Sequence, residues 1–503
     1  MSPEIFDETH KSESKRITID PATRLEGHGK IEIFLNDEGN VANAYWQTPE
    51  LRGFEKFCIG RSVDEMNKIT PRLCGVCPGA HHLCSTKALD GVYKAEPPPA
   101  AKRLRELFYS AHFVHSHTAH FYALAAADFV LGPAASVESR NILGVVDTVG
   151  VDIGTQVLRN RSYAQKTQEI IGGKATHPVC GIPGGMSKPL NEDERVQIEK
   201  YAKSIVDFAK FTVQLFNDAV LKNEDYLNLI KDPSIYYHET YYMSVVDKDN
   251  KVNFYDGDIR IVDQKGNEVC KFPPSKYLDY IGEHVEPWTY QKFPYLKNIG
   301  WKGLVDGPES GIYRAAPLAR VNASTGYTTP GAQAEYEKLK GFFKDLGVDG
   351  PIHHTMVFHW ARVIELLHAA EMMLECVQDP IITSKDIRTP VGEPGEGVGV
   401  VEAPRGTLFH HYVADENGIA TDVNMIVGTT NNNGPINMSI EKAAKALIKD
   451  WQVSPGLLNM VEMAYRAYDP CNSCATHSLP GNLPIKAVIR KADGSVYREF
   501  KNY

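Results

Sequence analysis

Two Cys-x-x-Cys pairs stand near opposite ends of this chain of 503 residues, Cys74 with Cys77 and Cys471 with Cys474. Each pair can present two thiolates from one turn of backbone, so the two pairs together would form a four-sulfur site that joins the ends of the fold. Thiolates are soft ligands that favour zinc, nickel, copper(I) and iron. A structural zinc site and a redox dithiol are the alternatives. Zinc knuckles usually collect their ligands within a few tens of residues, whereas 394 positions separate Cys77 from Cys471.

The residues that flank the two pairs are more specific than the pairs themselves. The first string reads Arg72-Leu-Cys-Gly-Val-Cys-Pro-Gly-Ala-His81, and the second reads Asp469-Pro-Cys-Asn-Ser-Cys-Ala-Thr-His477. Both strings, in this order and this far apart, resemble the large subunit of nickel–iron hydrogenases. The resemblance extends from Arg24 to His477 and includes HPVCGIPGG at residues 177–185.

The resemblance implies a role for each of the four cysteines. All four sulfurs would bind nickel, with Cys74 and Cys471 as terminal ligands. Cys77 and Cys474 would also bridge to an iron that carries carbon monoxide and cyanide. Metal ligation would keep these sulfurs deprotonated.

Glu26 belongs to a short charged string, Arg24-Leu-Glu26-Gly-His28, which taken alone is an ordinary surface turn. The string matches the family's Arg-x-Glu-Gly-His element, in which the glutamate relays protons to and from a terminal nickel cysteine. A carboxyl group can do this if burial raises its pKa toward the working pH. The resemblance therefore implies that Glu26 is the relay, opposite Cys471.

A magnesium site is implied by Arg52-Gly-Phe-Glu55, which precedes Cys74 by 19 positions. By itself, Glu55 would be a solvated glutamate at the start of a helix. In the family a glutamate at this offset ligates magnesium together with a main-chain carbonyl, which maps to about Met425, and the histidine after the last cysteine pair, here His477. Magnesium takes oxygen ligands and keeps several waters, so one carboxylate and one carbonyl are reasonable ligands.

Glu402-Ala-Pro-Arg405-Gly resembles the strand that covers the diatomic ligands on iron in the family. The resemblance implies that Ala403, Pro404 and Arg405 line the cofactor and that the guanidinium of Arg405 overhangs the open metal position. Alone, an arginine after a proline is more often a surface-loop feature. Arginine keeps its charge and its donors at physiological pH. Thr429, in the next loop, would donate a second hydrogen bond to cyanide.

Several histidines lie near these strings. His81 lies one helical turn after Cys77 and could donate to a bridging sulfur, as groups that orient metal ligands do. His82 points elsewhere on the same helix and is interpreted as structural. His117 and His120, on an apolar helix, are interpreted as satisfied core groups and are left out of the site.

The composition narrows the class of protein. The chain is 43% hydrophobic, carries a net charge of −9 and has a pI of about 6.1, so no basic nucleic-acid footprint is expected. The sequence has no run of about 20 apolar residues, so no membrane span is predicted. Its polar start lacks the apolar segment of a secretory signal. Five of the nine cysteines are isolated in the sequence. This pattern does not indicate a disulfide framework and is typical of proteins in a reducing cytoplasm.

Hydrophobic periodicity predicts a mainly α fold with small β-hairpins and sheets, an α+β class. Hairpins are predicted at residues 16–47 and 397–428 and in the tail at 485–500. A long buried helix is predicted at 107–132, and further helices at about 332–347, 352–379, 438–450 and 455–467. The expected organisation is one compact unit of five segments: 1–95 with the first cysteine pair, 96–230 of long helices, 231–330 of loops and small strands, 331–477 with the second pair, and a C-terminal extension at 478–503.

The predicted function is that of the catalytic subunit of a cytoplasmic nickel–iron hydrogenase, which splits H2 heterolytically into two protons and two electrons. The sequence has no spare cysteine cluster for an iron–sulfur centre and no dinucleotide fingerprint, so an obligate iron–sulfur small subunit is expected. The resemblance is to the soluble classes that feed flavin or heterodisulfide modules, and it implies a maturation endopeptidase that cuts after His477. The rivals are a non-catalytic scaffold related to respiratory complex I and a four-thiolate zinc protein.

Overall fold

The computed structural model describes residues 10–11, 15–51, 53–475, 486–491 and 495–501. Helices dominate and the strands form small separate sheets, which confirms the predicted α+β class. The helices are α1 (Phe54–Cys58), α2 (Met66–Ile69), α3 (Pro78–Val92), α4 (Pro99–Ala119), α5 (Ala126–Val130), α6 (Ile142–Val149), α7 (Val151–Gly172), α8 (Glu192–Phe216), α9 (Glu224–Lys231), α10 (Tyr277–Tyr280), α11 (Pro317–Ala323), α12 (Pro330–Asp345), α13 (Val357–Gln378), α14 (Asn433–Leu447), α15 (Pro455–Arg466) and α16 (Asn472–Ala475).

The strands pair locally, and most neighbours in a sheet are antiparallel. They are β1 (His10–Lys11), β2 (Arg16–Ile19), β3 (Lys30–Leu35), β4 (Val41–Gln47), β5 (Gly181–Ile182), β6 (Gly185–Met186), β7 (Tyr241–Val246), β8 (Asp258–Val262), β9 (Glu268–Phe272), β10 (Ile281–Val285), β11 (Lys292–Leu296), β12 (Tyr313–Arg314), β13 (Glu396–Ala403), β14 (Gly406–Ala414), β15 (Ala420–Ile426), β16 (Gln452–Val453), β17 (Lys486–Arg490) and β18 (Val496–Lys501). The larger sheets have the orders β2-β3-β4, β12-β7-β8-β9 and β13-β14-β15, and β12 pairs with β7 in parallel.

Both predicted hairpins before the cysteine pairs are present, and each gains a third strand. In the first, β3 and β4 meet at a turn where Asn36 N–H donates to Asn40 O at 2.8 Å. Period-two alternation buries Ile31 and Ile33 on one face of β3. The second sheet joins β13, β14 and β15. In the tail, β17 and β18 pair antiparallel, as the alternation there predicts.

The long buried helix is α4, and it differs from its prediction in one respect. Rather than continuing as one α-helix to residue 132, the chain widens into a π-helical segment at His120–Ala125 before α5 begins. A wider turn changes which side chains face the core beyond that point, and periodicity in the sequence does not predict it. Helices α7 and α13 pack on α4, and α8 packs on α7 and α13, so that the four helices form the helical body.

Helix α3 packs very closely on β13, and two glycines make this approach possible. A Cβ added to Gly397 would lie 2.2 Å from the carbonyl oxygen of Ala88, and one added to Gly399 would lie 2.1 Å from that of Cys84. Helix α3 begins directly after Cys77, and β13 leads into Arg405. The contact therefore fixes the distance between the first cysteine pair and the Arg405 segment.

All four cysteines of the two pairs belong to the principal hydrophobic core, which reaches from Ala22 to Cys474. Within the described ranges, no helix is long and apolar enough to cross a membrane.

Candidate metal centre

The two cysteine pairs converge on one buried cluster of four sulfurs, here called the cysteine quartet. The Sγ–Sγ distances are 3.2 Å for Cys74 with Cys471, 3.4 Å for Cys77 with Cys474 and 3.0 Å for Cys471 with Cys474. All four ligand atoms lie within 4.8 Å of one another, and each residue is at most 5% exposed. Four sulfurs at about 2.3 Å from one metal would be about 3.8 Å apart, so the quartet fits a metal centre.

The first pair is held by the start of a helix. Cys77 is the N-cap of α3, whose first residue is Pro78. The backbone N–H groups of Val76 and Cys77 approach Cys74 Sγ at 3.1 and 3.3 Å. Backbone donors and a helix N-terminus both favour negative charge at a sulfur.

The second pair is held by backbone pairing between the two ends of the chain. Glu26 and Cys471 form an isolated parallel bridge, and Asn472 N–H donates to Glu26 O at 3.0 Å. Gly27, with φ of 78°, lies so close that an added Cβ would be 2.7 Å from Ser473 N. The glycine of the Arg-x-Glu-Gly-His string is therefore required by this approach.

The four thiols differ in the direction of their pKa shifts. Burial alone would raise the pKa of Cys74, but hydrogen bonds from the other three thiols and the Arg405 charge hold that pKa well below its usual range. Burial raises the pKa of Cys471 and of Cys474 well above the ordinary value. Hydrogen bonds from Cys471 and Cys474 lower the pKa of Cys77, yet burial and the Cys74 charge outweigh them and raise it. Cys74 is therefore the most acidic of the four thiols.

Glu26 contacts the quartet directly, on the side predicted from the sequence. Cys471 Sγ donates to Glu26 Oε2 at 3.0 Å, and Ser473 N–H donates to the same oxygen at 3.2 Å. Burial, followed by the negative charge of Cys74, raises the pKa of Glu26. Glu26 also lines a depression open to solvent, together with Glu50, Leu51, Arg72, Cys74, Gly75, His177 and Ser473. The carboxyl group of Glu26 therefore contacts a sulfur of the quartet and also borders a depression that is open to solvent.

Arg405 lies on the opposite side of the quartet and is almost fully buried. Its Nη2 is 2.9 and 3.1 Å from the two carboxylate oxygens of Asp469, and Nη1 donates to Ser116 Oγ at 3.1 Å. Burial alone would lower the pKa of Arg405, but Asp469 and the nearby thiolates raise it. A fixed positive charge therefore faces the sulfurs.

The cofactor residues predicted from the sequence meet around one small pocket on the Arg405 side. It is lined by Cys77, Ala80, His81, Ala403, Pro404, Arg405, Leu408, Val427, Gly428, Thr429, Cys471 and Cys474. Thr429 Oγ1 accepts the backbone N–H of Cys471 at 2.9 Å, which ties its loop to the second pair. Its hydroxyl proton can then be donated in another direction.

His81 contacts the sulfur of Cys474, with Nε2 and Sγ 3.3 Å apart. Its Nδ1 lies 3.1 Å from His410 Nε2, and His410 in turn contacts the hydroxyl of Tyr412. Tyr412 donates to Ser85 Oγ at 2.9 Å. This chain of buried groups fixes the orientation of the His81 ring, as partners beyond a metal ligand commonly do.

The predicted magnesium residues are brought together only in part. Glu55 is buried, and its Oε1 accepts the backbone N–H of Met425 at 2.6 Å. Lys292 Nζ lies 3.6 Å from Glu55 and 3.2 Å from Glu283. Two carboxylates against one ammonium leave an excess of negative charge, which suits a divalent cation. His477 lies outside the described residues.

The remaining histidines have core partners, in line with their interpretation from the sequence. His82 Nδ1 lies 2.7 Å from Asn67 O, and Gly181 N–H donates to its Nε2 at 2.8 Å. His117 Nε2 lies 2.8 Å from Glu365, and His120 Nε2 lies 2.8 Å from Arg466 O.

Asp469, Ser116 and His410 are residues of the site that the sequence reasoning missed. Asp469 could have been found, because it stands two positions before Cys471 in the same string as the cysteines. Ser116 lies 289 positions from Arg405, and His410 lies 329 positions from His81. No short motif connects positions that far apart.

Comparison with known proteins identifies the family. The model of the family described as nickel-dependent hydrogenase matches residues 52–139 and 147–477, and a second model, described as HoxL-like, matches residues 16–51. A protein of Archaeoglobus profundus, named as an iron-sulfur subunit of an F420-non-reducing hydrogenase, is 49% identical over 492 residues, which cover 97% of this chain and 100% of that protein. The NAD-reducing hydrogenase HoxS subunit beta of Cupriavidus necator is 35% identical over 503 residues, covering 97% and 99%.

Comparison with solved structures points to the same family as the sequence relatives. The crystal structure of an NAD+-reducing [NiFe]-hydrogenase in the H2-reduced state superposes with a TM-score of 0.85 at 35% identity, covering 92% of this chain and 100% of that chain. A Ni-Fe-Se hydrogenase of D. vulgaris Hildenborough, at 24% identity and a TM-score of 0.72, shares the fold. The chain belongs to the nickel-dependent hydrogenase family and is the catalytic subunit of a nickel–iron hydrogenase.

Proposed function

We propose that the cysteine quartet holds a nickel–iron group at which the protein catalyses H2 ⇌ 2 H+ + 2 e−. The observation that carries the proposal is the donor set: four buried thiols outside any disulfide, whose sulfurs lie within 4.8 Å of one another, between Glu26 and Arg405. Soft thiolates suit nickel and iron. The group, when bound, supplies the binding and splitting of H2 and the uptake of two electrons. On the family pattern, all four cysteines would hold the group, Cys74 and Cys471 as terminal ligands and Cys77 and Cys474 as bridging ligands.

The protein's own part in proton movement falls to Cys471 and Glu26. A proton on Cys471 Sγ has Glu26 Oε2 as its acceptor at 3.0 Å. Burial raises the pKa of Glu26, and a raised pKa makes a carboxyl group a better proton acceptor. The open depression beside Glu26 then leads to solvent.

The Arg405 side supplies positive charge and hydrogen-bond donors in a small buried pocket. Charges fixed in a water-excluded site act strongly and need no reorganisation during the reaction. Arg405, Thr429 and the segment Ala403–Pro404 would face the carbon monoxide and cyanide ligands of iron. A magnesium ion is proposed beside Glu55, with the Met425 carbonyl and His477 as its other protein ligands; the excess carboxylate charge at Glu55 and Glu283 supports it.

Electrons must leave through another protein. Among the described residues, the quartet is the one group of cysteine, histidine and acidic side chains whose ligand atoms converge on a metal position. We therefore propose that an iron–sulfur small subunit is an obligate partner, with flavin or heterodisulfide modules as further acceptors. A cytoplasmic location remains the prediction, and the isolated cysteines, which are free thiols, suit a reducing compartment.

Maturation is proposed to include cleavage after His477 by a specific endopeptidase. The intact mass of active, nickel-loaded protein tests this step. A species that ends at His477 is expected, whereas a fully active species that ends at Tyr503 would show that β17 and β18 remain part of the enzyme.

Metal analysis combined with H2 uptake tests the proposed function. The protein, purified anaerobically with its partner, is expected to contain nickel and iron together and to reduce an artificial electron acceptor with H2. Zinc alone would support the structural zinc protein, and a preparation that never binds metal would support the non-catalytic scaffold.

A further inference from the structure

Arg320, in α11, is fully buried, and each of its five N–H donors has an acceptor. Nε and Nη2 donate to the two oxygens of Glu365, at 2.5 and 2.8 Å. Nη1 donates to a carboxylate oxygen of Glu402 and, at 3.1 Å, to the carbonyl oxygen of Ala403. Nη2 also donates to the carbonyl oxygen of Pro404 at 3.4 Å. The guanidinium therefore binds the two backbone carbonyls that directly precede Arg405.

The two carboxylates that hold Arg320 connect it to the elements around the pocket. Glu365, in α13, also contacts His117 Nε2, and His117 follows Ser116, which accepts from Arg405 Nη1. Glu402, at the end of β13, also accepts Val245 N–H at 2.7 Å and Thr407 Oγ1 at 2.9 Å. Two series of contacts therefore connect Arg320 with Arg405. One reaches the backbone that precedes Arg405, and the other reaches the Arg405 side chain.

We propose that Arg320 is a positioning residue for the reaction: it holds the Ala403–Pro404 turn so that the Arg405 guanidinium faces the cysteine quartet. Arg320 does not line the pocket itself, and no sequence motif that points to the site contains it. The inference rests on the proposed role of Arg405.

The position requires an arginine for two reasons. A lysine ammonium is a single point with three donors, so it cannot reach two carboxylates and two carbonyls that lie around a planar fork. Three fully buried charges are also involved, Arg320, Glu365 and Glu402. Replacing Arg320 by lysine would leave one of the two buried carboxylates without its partner, so the Ala403–Pro404 turn would shift to compensate.

The test compares Arg320→Lys with Arg103→Lys in the nickel-loaded complex. Arg103 is the control because its guanidinium also pairs with carboxylates, those of Glu106, Glu375 and Asp379, away from the pocket. For Arg320→Lys we expect H2 uptake to fall on the order of 100-fold, the loss that a displacement of about 1 Å can cause, with nickel and iron retained. Amide hydrogen exchange across residues 402–407 should become faster. Arg103→Lys should change neither H2 uptake nor the amide hydrogen exchange of residues 402–407.

A double variant separates positioning from a general loss of stability. If Arg320 acts through Arg405, then Arg320→Lys added to Arg405→Lys causes no further loss of turnover. Additive losses, or unchanged exchange at residues 402–407, would overturn the proposal. If Arg320→Lys does not fold, Glu402→Gln, which is nearly isosteric, is judged by the same two measurements.

Failure of the Arg405 role can be told apart from failure of this inference. Near-normal turnover in Arg405→Lys would remove the proposed role of Arg405. The hydrogen exchange of residues 402–407 in Arg320→Lys would still decide whether Arg320 holds the turn.

Discussion

The two sides of the cysteine quartet are built in different ways. On the Arg405 side, the functional side chain is 3% exposed, and its partners come from α4 and from the residue pair before Cys471. On the Glu26 side, the functional side chain is half-buried beside an open depression and is held mainly by backbone pairing between the two ends of the chain. One side is closed by side chains, and the other is open to solvent.

The difference follows from what each side has to do. A fixed charge acts most strongly where water is excluded and where the group cannot reorient. A proton relay needs the opposite, because its carboxyl group must exchange protons with solvent. The closed side therefore depends on buried ion pairs, and the open side depends on the approach of Gly27 to Ser473.

Removing a cysteine of the quartet should disable the Arg405 side and the Glu26 side together, because both sides act on the metal group between them. Cys471→Ser and Cys474→Ala are each expected to eliminate H2 uptake and to lower the nickel content, as measured by metal analysis. Cys270→Ser, on β9 and outside the quartet, is the control and should keep both. Full activity in either quartet variant would rule out the four-sulfur site.

Glu26→Gln should disable the open side alone. The amide is nearly isosteric but cannot carry the proton, so H2/D2 exchange with solvent should fall by roughly 10²–10⁴-fold, the usual contribution of a positioned acid–base group. Nickel should remain bound. The matched control is Glu50→Gln, which lines the same depression and should retain most of the exchange. Unchanged exchange in Glu26→Gln would move the relay to another residue.

Arg405→Lys should disable the closed side alone. The charge is kept, but the planar fork that binds Asp469 and Ser116 together is lost. Turnover should fall by roughly 10²–10³-fold, the cost of removing one preorganised electrostatic group, while both metals remain bound. Solvent exchange of any residual activity should still depend on Glu26. A variant with wild-type turnover would show that Arg405 does not act on the reaction.

The smallest expected effect is the release of protons on metal binding. The pKa of Cys74 lies below its usual range, and those of Cys77, Cys471 and Cys474 lie above it. Binding as four thiolates should release protons from the thiols, so metal affinity should rise with pH. A pH-indicator titration of the metal-free protein with metal measures this proton release, and a release near zero would contradict the prediction.

Much of the metal centre follows from short strings in the sequence. The cysteine pairs, Glu26, Glu55 and the Ala403–Arg405 segment were predicted because each stands in a short string that resembles a motif of the family. The hairpins that precede the cysteine pairs follow from period-two alternation in β3 and β13–β15. These predictions depend on neighbours within a few positions, and such neighbours remain close in any fold.

The tertiary structure alone decided which distant groups complete the site. Arg320 reaches Pro404 across 84 positions, and Ser116 reaches Arg405 across 289. The π-helical turn at His120–Ala125 also breaks a helix whose periodicity predicted continuity. Such contacts depend on how helices and strands pack in three dimensions. No local propensity specifies which buried carboxylate will face which buried arginine, because that pairing arises only when the elements that carry them are brought together.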